Sequence, residues 1–134
     1  MNYTINDEII KNSNEYKNFM RKNSGYGTLN IRAYATNQAI PISNLKIVIT
    51  TLIGDKSVIF YEGTTNSSGV IEGITLPAPR INDGNLDAPI GLEYKINAYY
   101  EHDNINRVYS IKIYENIGVV QNITIIPRMN LGGM

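Results

Sequence analysis

From Gly27 onward, apolar and polar side chains alternate in short runs punctuated by Gly, Asn, Asp, Ser and Pro, the period-two signature of half-buried strands. In residues 27–50, GTLNIRAYATNQAIPISNLKIVIT, Leu29, Ile31, Ala33 and Ala35 alternate with Thr28, Asn30, Arg32 and Tyr34. Leu45, Ile47 and Ile49 then alternate with Lys46, Val48 and Thr50, after a loop with Pro41 at its apex. Each run presents one apolar face, and that face needs another to pack on, so a second sheet is predicted.

The pattern continues down the chain. Gly54-Asp55 reads as a hairpin turn and is followed by a third strand at about 57–64. There Val58 and Phe60 face one way and Ile59 and Tyr61 the other. A strand apolar on both faces is either central and covered or lies beneath another element, here an N-terminal helix. The turn Asn66-Ser67-Ser68-Gly69 leads into a fourth strand, 70–76, ending at Pro77. Residues 77–91 hold three of the five prolines and form a long loop, the kind of segment that often binds. Strand five, 92–101, places Leu92, Tyr94, Ile96, Ala98 and Tyr100 on one side. His102-Asp103-Asn104 turns the chain into strand six, about 106–114, and strand seven runs over 119–126 to Pro127. Seven short strands and a single short helix predict an all-β, Greek-key sandwich.

Ahead of the strands, residues 1–12 form a polar arm in which Tyr3 and Ile5 suit an extended segment. A short helix is predicted over 13–24: Asn12 and Glu15 resemble a capping box, Tyr16, Phe19 and Met20 fall at helical spacing, and Ser24-Gly25 ends it. The helix either lays those three side chains over one end of the sandwich, or the arm before it is an exchangeable strand for a neighbouring molecule. The sandwich then occupies 25–127, and 128–134 is a loose tail.

Composition narrows the function classes. A chain of 134 residues fits one domain that buries roughly two-thirds of its unfolded surface, enough for a core without staples. With no cysteine there is no disulfide framework or thiolate metal site. Twelve basic side chains balance twelve acidic ones, with no clustered basic face, which argues against nucleic acid or an anionic membrane as partner. Near-zero charge also eases self-association, so a homo-oligomer is allowed. The first residues have no long apolar run and carry Asp7 and Glu8, so neither a secretory signal nor a membrane span is expected.

Catalytic and metal chemistry is thinly represented. His102 is the one histidine, flanked by acids in a turn, where a solvated role is expected rather than that of a base. Asp83, Asn85 and Asp87 begin like an EF-hand loop, but Ala88 stands at the sixth position and Tyr94 at the twelfth. They are either an irregular calcium site or a polar turn. The acids are otherwise scattered among turns, so no glycosidase pair is expected, and no cofactor or catalytic residue is assigned. Of ten tyrosines, Tyr34, Tyr99 and Tyr114 lie opposite the cleanest apolar stripes. They are cross-strand stabilisers or an amphipathic platform for a protein or glycan.

Three stretches together resemble a known family: GTLNIRAY with AIPISNLKIVI, YEGTTNSSGVIEGITLPAP, and VYSIKIYENIGVVQNITIIP. Their order over residues 16–127 is similar to that of the carboxypeptidase regulatory-like, transthyretin-like (prealbumin-like) domain, in the form associated with bacterial spore cortex-lytic enzymes. The resemblance implies a transthyretin-like variant of the immunoglobulin-like sandwich, in which 27–49 forms the first hairpin, Thr65 to Gly69 links two strands and the last hairpin ends at Pro127. It implies a non-catalytic accessory or structural module of the spore envelope or cell wall. The partner would be a wall-active enzyme, wall glycan or another copy; the alternative is a self-assembling fibre or layer subunit that exchanges its N-terminal arm. Such a protein would reach the spore or cell surface by non-classical export or by deposition inside the mother cell. One transthyretin-like branch is a hydrolase of a purine-breakdown product that uses several histidines, an arginine and a C-terminal tetrapeptide. Against that pattern stand one histidine and the ending LGGM.

Overall fold

Alternation along the chain becomes two packed sheets in the structure, a computed structural model that describes residues 10–35, 40–81 and 90–126. A helix, α1 (Asn14–Lys22), precedes the strands β1 (Gly25–Tyr34), β2 (Lys46–Ile53), β3 (Lys56–Thr64), β4 (Val70–Ala78), β5 (Leu92–Tyr100), β6 (Ile105–Ile113) and β7 (Gly118–Thr124). One sheet has three strands in the order β4-β1-β7, and the other has four in the order β3-β2-β5-β6. All pairs are antiparallel except β1 with β7, which is parallel. Leu29, Ile31 and Ala33 of β1 face Ile47 and Ile49 of β2 and Tyr94, Ile96 and Ala98 of β5 in one buried core, completed by Leu76, Ile113 and Ile123. This is the expected seven-stranded sandwich preceded by a short helix.

The connections differ from those expected. β1 and β2 lie in different sheets, as do β6 and β7, so the Pro41 unit and the final unit are crossovers between layers rather than hairpins. The hairpins are β2–β3, turned at Gly54 with φ of 64°, and β5–β6, turned through a 3-10 helix (Glu101–Asp103) and Asn104 with φ of 54°. Period-two alternation fixes which face of a strand is buried but not which sheet the strand joins, hence the difference. The crossovers carry their own polar anchor. Buried Thr65 donates its hydroxyl to the Ile42 carbonyl at 2.7 Å and accepts the Leu45 N–H at 3.0 Å, tying the β1–β2 loop to the β3–β4 turn.

Three local expectations are also corrected, and one pair of alternatives is decided. The helix N-cap is Ser13, not Asn12: its backbone is extended and its Oγ accepts the Tyr16 N–H at 3.1 Å. Asn23 closes the helix, with its backbone N–H and its side-chain amide both donating to the Phe19 carbonyl, and Gly25 already belongs to β1. β4 continues through Pro77 to Ala78, which the chain tolerates because β4 is an edge strand and need not donate outward. β3 is not central. It is an edge strand with a bulge, Ile49 and Thr50 pairing with Tyr61 and Ile59 and leaving Phe60 unpaired, so Val58, Phe60 and Tyr61 all reach apolar surroundings. Phe60 takes the helix: its ring lies 6.5 Å from that of Tyr16, 5.6 Å from Phe19 and 5.9 Å from Tyr94.

Candidate functional site

Strands β2 and β5 pair only from Lys46 with Tyr99 to Thr50 with Lys95. Beyond that row β2 continues to Ile53 and β5 extends back to Leu92, so the two strands run on without a ladder between them. A side-chain bond bridges the gap: Thr51 Oγ1 donates to the Glu93 carbonyl at 2.6 Å. Where the ladder stops, the outer face of the four-stranded sheet opens into a groove of about 730 Å³, within the size range of ligand sites.

Register decides what lines it. Thr50, Lys95 and Ser110 stand in one cross-strand row, and Val48, Asn97 and Val108 in the next. Leu52 pairs with Ser57 on the β3 side, and Glu93 pairs with Lys112 on the β6 side. All of these except Val48 and Lys112 line the groove, together with Leu92 and the edges of Thr51 and Tyr94. The lining therefore combines exposed aliphatic carbons, hydroxyl-bearing side chains that include Thr50, Ser57 and Ser110, one amide, one carboxylate and one amine. Leu52 and Val108 are 64% and 58% exposed, on strands whose other faces are core.

Tyr94 closes the floor. Its ring is buried and its hydroxyl donates to the Pro77 carbonyl of the opposite sheet at 2.6 Å. Burial pushes this phenol far above the usual tyrosine range, so it stays a neutral donor. The chemistry offered is that of apolar contact, hydrogen bonding and one charge of each sign. No histidine lines the groove, and among the described residues no group of three His, Cys, Asp or Glu side chains is placed to hold a metal.

The residues singled out from the sequence fall elsewhere. Tyr34 is half-buried on the outer face of the three-stranded sheet, whereas Tyr99 is on the four-stranded one, its hydroxyl donating to Asn104 Oδ1 at 3.2 Å. Tyr114 follows β6 at the opposite end of the β5–β6 pair and packs against Gly91. The three do not form one platform, because the two sheets turn their outer faces in opposite directions. His102 lies exposed in the 3-10 turn, its ring 6.0 Å from that of Tyr100. Tyr3 and Ile5, the trio Asp83, Asn85 and Asp87, and Pro127 lie outside the described residues. The groove itself escaped the sequence reading. Its one available signal was an aliphatic residue in the outward phase of a strand, Leu52 in β2 and Val108 in β6.

No protein-family model matches the chain, and no curated protein matches it. Among solved structures, a 5-hydroxyisourate hydrolase of Klebsiella pneumoniae superposes with a TM-score of 0.51 at 12% identity, over 77% of this chain and 92% of that one. An (S)-allantoin synthase superposes with a TM-score of 0.49 at 13% identity, over 77% of this chain and 42% of that one. The chain thus spans less than half the length of the synthase. The hydrolase likeness establishes the fold as transthyretin-like. It also overturns the expectation that the chain is not an enzyme, since a solved structure of this architecture is a hydrolase. At this identity the likeness extends to the fold alone and transfers no residue or substrate.

Proposed function

We propose that the protein is an accessory module of the bacterial spore envelope or cell wall that binds a segment of a partner protein in the groove beside β2, β5 and β6. The observation that carries this reading is the groove itself: a concavity of about 730 Å³ rimmed by exposed Leu52 and Val108, with hydroxyl, amide and charged groups between them. Apolar anchors framed by a few polar groups are the composition of a protein-recognition patch. A wall glycan suits it less, because sugar rings are held on flat exposed aromatic faces and the one ring at this groove, Tyr94, is buried. The location rests on the motif resemblance over residues 16–127.

Selection of random dodecapeptides displayed on phage against the immobilised full-length protein tests the reading. Enriched peptides are expected to lose binding to Leu52→Glu and to Val108→Glu, both exposed positions where the fold tolerates charge. Failure of any peptide to enrich, or binding that survives both substitutions, contradicts it. Immunolabelling confined to the cytosol of vegetative cells contradicts the location.

A further inference from the structure

Lys95 is an uncompensated cation on the floor of the groove. Its register partners are Thr50 on β2 and Ser110 on β6, both neutral, whereas Glu93, two residues away on the same face of β5, stands opposite Lys112. Glu93 therefore has a cation across from it, while Lys95 forms no ion pair or side-chain hydrogen bond among the described residues. The hydroxyl beside it is unused as well. Thr50 is 3% exposed, yet its Oγ1 bonds to no group among those residues. No fully buried side-chain oxygen or nitrogen among them lacks a partner, so this hydroxyl is not sealed off, and the surface it opens on is the groove. A polar group so nearly buried is costly unless something hydrogen-bonds it.

Thr50, Lys95 and Ser110 set three donors side by side on strands about 5 Å apart. An ammonium flanked by hydroxyls matches an oxygen anion, and Glu93 on the same face weighs against a ligand of more than one negative charge. A single carboxylate satisfies both conditions. Apolar anchors frame the row on opposite sides: Leu52 is two residues along β2 from Thr50, and Val108 two residues back along β6 from Ser110, each roughly 8 Å from Lys95. An extended chain spaces alternate side chains about 7 Å apart, so a segment crossing the groove can set an acid between two apolar side chains. We infer that Thr50, Lys95 and Ser110 form a carboxylate-binding site for an Asp or Glu side chain of the partner protein, carried on an extended segment with an apolar residue two places to either side. The inference rests on the protein-binding reading above and names the residue type that the groove selects.

The dodecapeptides enriched by display on the full-length protein provide the test, and they are expected to share an acid with apolar residues two places before and after it. Each is resynthesised with a fluorescent label, once with that acid and once with the corresponding amide, and titrated by anisotropy against the parent, Lys95→Met and Thr50→Val. The amide weakens binding to the parent by about tenfold or more and makes no difference to Lys95→Met, which binds both forms weakly. Thr50→Val weakens the acid form by about three- to tenfold. Lys95 is exposed, so Lys95→Met keeps the unfolding midpoint of the parent, and the amide exchange needs no change in the protein at all. Enriched peptides without a shared acid, equal binding of acid and amide forms to the parent, or parent affinity in Lys95→Met or Thr50→Val overturns the inference. Peptides that enrich and depend on Leu52 and Val108 but not on Lys95 remove this inference alone; if no peptide enriches, both readings fall.

Discussion

Tyr94 shows how one side chain serves both layers of the sandwich. Its ring fills the core between the sheets and touches Phe60, while its hydroxyl reaches the Pro77 carbonyl in the opposite layer. Replacing it by Phe leaves that buried carbonyl without a donor, and urea unfolding is expected to show a loss of about 1–3 kcal/mol. The pH dependence follows from the raised phenol. The folded chain keeps the proton while an unfolded tyrosine releases it near pH 10, so the contribution is complete below about pH 10 and is lost as pH rises beyond it. Parent stability should therefore fall more steeply between about pH 10 and 11 than that of Tyr94→Phe. A parent and variant with parallel pH profiles would mean the phenol is not held neutral. The sequence marks Tyr94 as inward-facing by its place between Leu92 and Ile96, but its partner across the sandwich depends on topology and was not legible.

At the scale of elements, strands were readable and their partners were not. Leu29-Ile31-Ala33 and Tyr94-Ile96-Ala98 announce buried faces by simple alternation, and each of these side chains is buried. The phase of β3 was misread because a bulge at Phe60 interrupts the alternation, and nothing local in VIFY signals a bulge. The helix was placed correctly, yet its cap was shifted by one residue, since Asn12 and Ser13 are both good caps and only backbone geometry separates them. Ser13 also donates to the Ile10 carbonyl at 2.6 Å, coupling the cap to a residue buried against Ile53 and Val58. Ser13→Ala is expected to cost about 1 kcal/mol, read as faster amide exchange through α1 (Asn14–Lys22) while β1 and β5 keep their protection. Uniform acceleration across the sandwich would show instead that the helix is part of the global folding unit.

Across the whole molecule, the groove is a product of topology. It exists because β2 and β5 cease to pair after Thr50 and Lys95, and because register sets Leu52, Lys95, Asn97, Val108 and Ser110 on one surface. These residues come from three strands far apart in the chain, and none stands in a recognisable motif, so no single-sequence pattern collects them. The tyrosine platform fails for the converse reason: an excess of one residue type does not imply a shared face when two sheets point their outer surfaces apart. The fold, in short, followed from pattern, and the candidate site from strand order and register.

The most direct test of peptide binding in the groove is a map of backbone amide shifts in the ¹⁵N-labelled full-length protein titrated with a display-selected peptide. Perturbations are expected to concentrate at Thr50, Leu52, Glu93, Lys95, Asn97, Val108 and Ser110, with β1 and β7 unmoved. Perturbations centred on the three-stranded sheet, or none on the four-stranded face at saturating peptide, would contradict it.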